Sequence, residues 1–240
     1  MRFPGQRIAK HYFPVSSPTP RNPPVEAPPS QDSAPGKRWY ILGLDQIIVD
    51  LEVHAPESFT HDLGLVRGES MQLTDTRYRQ LIADLDAQGV TYRYAAGGTV
   101  SNTLNNYVLL ADEPSMLLGS LPKSITPGDA AFHYVAQTHR LVDLEHLQAY
   151  EGMVGTAVTF VFPDGERSFA VAAGVSNDFP DTAIPEGAVE DATIALASLY
   201  TLIDPAWPIA QATHRLFERA KAADIPVAFG LGTAGLVARM

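Results

Sequence analysis

From Trp39 onward, stretches written for strands alternate with stretches written for helices, and this rhythm limits the fold more than any other feature of the chain. "WYILGLDQIIVDLEV" (39–53) is β-branched and aromatic and reads as one long or bent strand. "TDTRYRQLIADLDAQG" (74–89) reads as a helix capped by Thr74 and stopped at Gly89, with Tyr78, Leu81, Ile82 and Leu85 at helical spacing. "VTYRYAA" is strand, "VSNTLNNYVLLAD" helix, "SMLLGSL" a short buried strand and "PGDAAFHYVAQTHR" helix. "GTAVTFVFPDGERSFAVAAG" (155–174) reads as a hairpin, with Asp164-Gly165 as a type I′ turn. A strand over 193–203, a helix over 208–224 and the strand "IPVAFGLG" complete the series. On the last helix Ile209, Ala212, Leu216 and Ala220 are expected inward, with Arg215, Glu218 and Arg219 in solvent. Strands separated by helices cross over in parallel, so the expected class is α/β with a mainly parallel sheet. The hairpin and the strands near 50–54 and 91–96 break the rhythm and predict a small second sheet.

The first 37 residues stand apart. Nine of the 19 prolines precede residue 36, which forbids helix or central strand there and predicts an extended arm over 1–37, with the folded body over 38–240. Residues 1–38 hold six basic side chains (Arg2, Arg7, Lys10, Arg21, Lys37, Arg38) and two acidic ones (Glu26, Asp32). That is +4 of a net charge of −10, which leaves −14 for the body and argues against nucleic acid as a main partner. With no cysteine, disulfides and thiolate metal sites are excluded. No apolar run is long enough for a membrane span and no secretory leader is recognisable, so a cytoplasmic location is expected. The seven histidines lack metal-ligand spacing, and no metal site is expected from them.

The candidate site lies at "AAGGTVSNT" (95–103), where two glycines sit between a strand and a helix. Gly97 and Gly98 let backbone N–H groups approach a ligand without an intervening Cβ. Thr99 to Asn102 form the first helical turn, with unpaired amides and the positive dipole end, and Asn102 offers both donor and acceptor. Asp50, in "IIVDLEV", is a carboxylate at a strand edge that can accept from two adjacent hydroxyls, and Asp45 could face the same crevice. Taken together they describe a polyol site at the edge of a parallel sheet. "GLGTAG" (230–235) matches G-x-G-x-x-G, but the second strand and acidic residue of a dinucleotide site do not follow, which favours an ordinary βα turn.

At "FPGQRIAKHYFPV", "GLDQIIVDLE" and "AGGTVSNTLNNY", the sequence resembles the ribokinase (PfkB-type) kinase family and, within it, the bacterial inosine/guanosine kinases. "GTAVTFVF" and "GERSFAVAAG" resemble that family's lid hairpin. The resemblance implies a ribokinase-like three-layer α/β core with a small β-sheet lid built around 50–54, 91–96 and 155–173. It implies phosphate transfer from ATP to the 5′-hydroxyl of a purine nucleoside, with Mg²⁺ and K⁺ as the family's ions and a homodimer as a further expectation. Asp50 would hold sugar hydroxyls; Gly97, Gly98, Thr99 and Asn102 would bind the ribose; Asp45 and Asn177 would lie near the nucleoside. The family's catalytic G-A-G-D run does not occur in these 240 residues, and the resemblance places its catalytic Asp beyond Met240. The chain is therefore expected to be C-terminally truncated, to supply the substrate side with no catalytic base of its own, and to expose an unpaired sheet edge. The alternative is a nucleoside- or sugar-binding module without catalysis.

Overall fold

A computed structural model describes residues 40–54 and 58–238. The expectations for the proline-rich arm, for "FPGQRIAKHYFPV" and for a catalytic Asp beyond Met240 lie outside the described residues. The elements run in chain order β1 (Ile41–Leu44), β2 (Ile48–Val53), α1 (Ser58–Leu63), β3 (Ser70–Leu73), α2 (Asp75–Ala87), β4 (Tyr92–Ala96), α3 (Thr99–Ala111), β5 (Ser115–Leu118), β6 (Ser120–Pro122) and α4 (Ala130–Gln137). Then follow β7 (Val142–Asp143), β8 (Gln148–Tyr150), β9 (Gly155–Val161), β10 (Arg167–Ala172), β11 (Ile194–Ser198), α5 (Pro208–Ala222), β12 (Val227–Gly230) and α6 (Ala234–Val237).

The expected α/β core is present. Five parallel strands form one sheet in the order β12-β11-β1-β5-β7. The α5 helix covers one face, burying Ile209, Ala212, Leu216 and Ala220 against Leu42, Leu44, Ala195 and Ala197. On the other face lie α3 and α4, whose Val100, Leu104, Val108 and Tyr134 pack with Leu117 and Ile47. Gly43 makes this close approach feasible, because a Cβ there would fall 2.5 Å from Val100 Cγ1. Three layers result, each face of the sheet hidden from water by apolar helix stripes.

A second five-stranded sheet has the order β3-β10-β9-β2-β4 and mixes parallel and antiparallel pairs. One of its faces is apolar: Leu51, Val53, Val158, Phe160 and Ala170 pack against Tyr78, Leu81 and Leu85 of α2. Thr74 caps that helix by accepting from the Arg77 amide at 3.2 Å.

Several sequence expectations are corrected. Residues 39–53 are two strands in different sheets, β1 and β2, because the chain leaves the core sheet at Asp45 and enters the second sheet at Ile48. "SMLLGSL" likewise splits at Gly119 into β5 and β6, the latter pairing with β8 in a small parallel sheet. The hairpin turn is not type I′, since Gly165 has φ +89° but Asp164 has no positive φ. Pro163 fixes φ near −65°, which suits the second position of a type I turn, and the Gly165 amide bonds Phe162 O at 2.9 Å. Arg219 is not a solvent residue: it donates to Glu190 and to the Ile184 and Pro185 carbonyls, strapping α5 to the preceding loop. The strand expected over 193–203 is shorter, ending at Ser198 in a 3-10 turn over Leu199–Leu202.

Candidate functional site

The two sheets meet where residues 45–47 and 97–98 pass between them. Gly98 precedes α3 with φ +89° and ψ 137°, a combination open to glycine and costly for other residues. Having no side chain, Gly98 cannot cap the helix. Asp45 supplies the missing oxygen from the end of β1: its Oδ2 accepts from the Val100 and Ser101 amides, each at 2.9 Å, and from Ser101 Oγ at 3.0 Å. This oxygen lies 2.6 Å from where a Gly98 Cβ would sit, so the absence of that carbon is what admits the carboxylate. The Gly98 and Thr99 amides find no acceptor among the described residues and remain available at the positive end of α3.

Asp50 approaches the same corner from β2. A Cβ on Gly97 would fall 2.8 Å from the Asp50 carboxyl and 2.9 Å from Ile48 O, while the Gly97 amide donates to Ile48 O at 2.9 Å. On neighbouring strands Asp50 stands opposite Ala95 and Ala157, two small residues that leave space beside its carboxylate. Its face of the second sheet, which also carries Ile48 and Glu52, is the one that α2 does not cover. Among the described residues nothing donates a hydrogen bond to Asp50. A partly open carboxylate beside two free amides and a one-turn stretch of helix can hold two adjacent hydroxyls.

Asn102 and Thr99 are exposed on the first turn of α3, Asn102 one turn above Gly98. Thr99 also neighbours Gly230, the last residue of β12, so the "GLGTAG" turn borders the corner; it leads into the four-residue α6. Asn177, 8% exposed, ends the 3-10 turn Gly174–Asn177 after β10 and accepts from the Gln46 side chain. It is linked to the corner through Gln46, whose carbonyl lies 3.3 Å from the Gly98 Cβ position. Asp45 thus lies against Gly98 and Asp50 against its neighbour Gly97; Thr99 and Asn102 follow on the same turn; Asn177 is one residue removed. Sequence reasoning does not reach Ser101, Tyr134, Gln46 or Arg167. The small Ser101 in a helix's first turn is the one visible signal among them.

Electrostatics separates the two carboxylates. Burial pushes the Asp45 carboxyl up to about 7, against the pull of the Ser101 amide and hydroxyl and the Val100 and Gln46 amides. Burial raises Asp50 to about 6, offset by the Arg167 charge and aided by Glu52. In the unfolded chain both lose their protons near pH ~4. Between these limits the folded state binds more protons than the unfolded state, so stability is highest on the acid side and declines as pH rises towards about 7. Thermal melts are expected to show a lower midpoint at pH 8 than at pH 5, a gap that narrows in the Asp45→Asn/Asp50→Asn double variant. A midpoint that holds level or climbs over this range would contradict the burial of these charges. Glu190, held below its usual range by Arg219, acts in the opposite sense but at more acid pH.

A cleft of about 550 Å³ lined by Tyr40, Pro114, Met116, His146 and Asp191 opens at the opposite, N-terminal end of β1 and β5. Ligands of open parallel sheets sit at the C-terminal ends of strands, where Asp45 and Gly98 are. Among the described residues no group of three or more His, Asp or Glu could hold a metal ion, and no helix is long and apolar enough to cross a membrane.

No protein-family model matches the chain. Over a 241-residue alignment it is 34% identical to guanosine-inosine kinase of Escherichia coli strain K12, covering 99% of this chain and 54% of that protein, and the same holds for the O157:H7 strain. The chain spans about half the length of the curated relatives it matches. Among solved structures it is similar to adenosine kinase from Sinorhizobium meliloti (TM-score 0.67, 18% identity, 85% of this chain and 59% of that one). It is also similar to adenosine kinase from Anopheles gambiae in complex with P1,P4-di(adenosine-5) tetraphosphate (TM-score 0.70, 14% identity, 83% and 61%). The ribokinase-like fold and the resemblance stated from sequence are both borne out.

Proposed function

We propose, from a chain of ribokinase-like fold that is similar to guanosine-inosine kinase over nearly all its residues, that the described body is the nucleoside-binding side of a purine nucleoside kinase. The reaction is transfer of the γ-phosphoryl group of ATP to the 5′-hydroxyl of inosine or guanosine, in a cytoplasmic salvage setting. The observation that carries this reading is the convergence of Asp50 with Gly97 and Gly98, brought together from strands of the second sheet and the N-terminus of α3. Asp50 accepts from the 2′- and 3′-hydroxyls; the Gly98 and Thr99 amides and Asn102 hold the ring from the other side; the β9–β10 hairpin forms the lid. Phosphoryl transfer depends on in-line positioning and charge neutralisation, and this chain contributes the positioning of the acceptor. The described residues include no cluster of three His, Asp or Glu side chains that could hold a divalent ion such as Mg²⁺. No residue up to Met240 is assigned as the catalytic base.

These 240 residues contain no G-A-G-D run, which favours a second reading, nucleoside binding without catalysis by this polypeptide alone. One set of measurements decides between them. Inosine, guanosine and ribose are expected to raise the melting midpoint, NAD is not, and an assay with ATP and inosine is expected to give no turnover. Turnover would establish a catalytic base within these residues. Protection by NAD with none from inosine or ribose would remove the kinase reading altogether.

A further inference from the structure

The ligand corner is held from behind by a single helix. Tyr134, on α4, is fully buried, and its hydroxyl donates to Ser101 Oγ at 2.7 Å. Ser101 Oγ donates in turn to Asp45 Oδ2 at 3.0 Å, the atom that also takes the Val100 and Ser101 amides. The donors therefore run one way, from α4 through α3 into the carboxylate, and each polarises the next. One turn along α4, Gln137 grips the chain on the other side of the glycines: its Oε1 accepts from the Ala96 amide at 2.8 Å and its Nε2 donates to Tyr94 O at 3.3 Å. Tyr134 and Gln137 are three residues apart and share a helix face. They bracket Gly97–Gly98, the one stretch of this site whose backbone has no side chain to fix it.

We propose that Tyr134 and Ser101 are positioning residues for nucleoside binding, which touch no ligand and act through Asp45 to fix the Gly98–Asn102 turn, so that affinity follows the charge state of Asp45. This inference rests on the nucleoside reading of the corner. An ionised Asp45 makes charge-assisted bonds to both amides, and these are stronger than bonds to a neutral carboxyl. The groups facing it are Tyr134 from α4 and Ser101 from α3; Asp50 of β2 lies one residue away along the corner and titrates separately, near 6. His133 of α4 stacks instead on Tyr94, with ring centroids 5.3 Å apart. Burial holds the Asp45 proton up to about 7 in spite of these bonds, so the change in its hold on the two amides falls near neutrality. The Tyr134 hydroxyl favours the ionised form, and its loss moves that transition to higher pH.

Tyr134→Phe removes this hydroxyl and keeps the ring. Its control is Tyr107→Phe, which removes a buried hydroxyl on α3 that has no partner among the described residues. Two readouts are taken from pH 5.5 to 8.5 on the full chain: inosine affinity by calorimetry, and hydrogen-exchange protection of the Val100 and Ser101 amides without ligand. Tyr134→Phe is expected to weaken inosine binding roughly three- to tenfold at pH 7, the worth of one hydrogen bond. It is also expected to shift the affinity profile to higher pH and to lower protection of both amides, while Tyr107→Phe matches the wild type in each. An unshifted profile with unchanged protection, or equal effects in both variants, overturns the proposal. If the wild type does not bind inosine at all, the nucleoside reading fails and takes with it the role in binding, whereas the exchange data still decide whether Tyr134 fixes the corner.

Discussion

Gly98→Ala is expected to lower stability by on the order of 3 kcal/mol and to abolish inosine binding. The new Cβ would lie 2.6 Å from Asp45 Oδ2 and 2.9 Å from Ser101 Oγ, both in a buried network that has no room to retreat. The φ of +89° adds a conformational cost of about 1–3 kcal/mol for any residue with a Cβ. In a chain of this size the combined loss corresponds to a fall in melting midpoint of roughly 6–12 °C. Gly128→Ala separates the two contributions. Gly128 has φ +94° but nothing within 4 Å of its Cβ position, so it suffers the conformational cost alone. A Gly98→Ala protein that melts no lower than Gly128→Ala and still binds inosine would show that Asp45 does not depend on the vacant space at Gly98.

Asp50→Asn is expected to move affinity and stability in opposite directions. Two charge-assisted hydrogen bonds to a diol are each worth about 1.5–3 kcal/mol, so inosine affinity should fall on the order of a hundredfold or more. At pH 8 the wild type carries an ionised, largely buried carboxylate that no described group donates to, and exchanging it for a neutral amide should raise the melting midpoint. Gain of stability with loss of binding is the pattern of a group retained for function at the expense of the fold. Calorimetric titration with inosine and a thermal melt of the same sample test both halves. Wild-type affinity in Asp50→Asn would leave the corner without its proposed ligand.

The fold is largely legible in the sequence because helix spacing in 74–89 and 208–224 and strand composition in 193–198 and 227–230 are local properties. The break between β1 and β2 is not, because Gln46 and Ile47 carry no turn signal and the run from Tyr40 to Val53 is apolar enough for one strand. Its cause is tertiary: Ile47 and Val49 bury against α3 and α4, while Leu51 and Val53 bury against α2. The site divides in the same way. Gly97-Gly98 before a helix can be read directly, since glycine at that junction permits backbone geometry that other residues resist. The capping of α3 cannot, because Asp45 reaches it from 55 residues away and helix caps are ordinarily sought next door. The turn at 162–166 fails for a nearer reason: Asp-Gly points to type I′, but Pro163 ahead of it decides otherwise.

The two sheets communicate through neighbouring strands. β2 leaves the core through Asp45–Ile47, β4 returns to it through Gly97–Gly98, and the two strands pair where they do so, Val49 opposite Ala96. β9 enters the second sheet and β10 leaves it at this same end, Gly155 opposite Ile48 and Ala172 opposite Thr156, so a rotation of that sheet would turn about it, with the β9–β10 turn, which Asp164 ties to Arg67, furthest from the axis. Asp50 and the glycines sit almost on that axis, so such a swing would leave the contact between Asp50 and Gly97 intact.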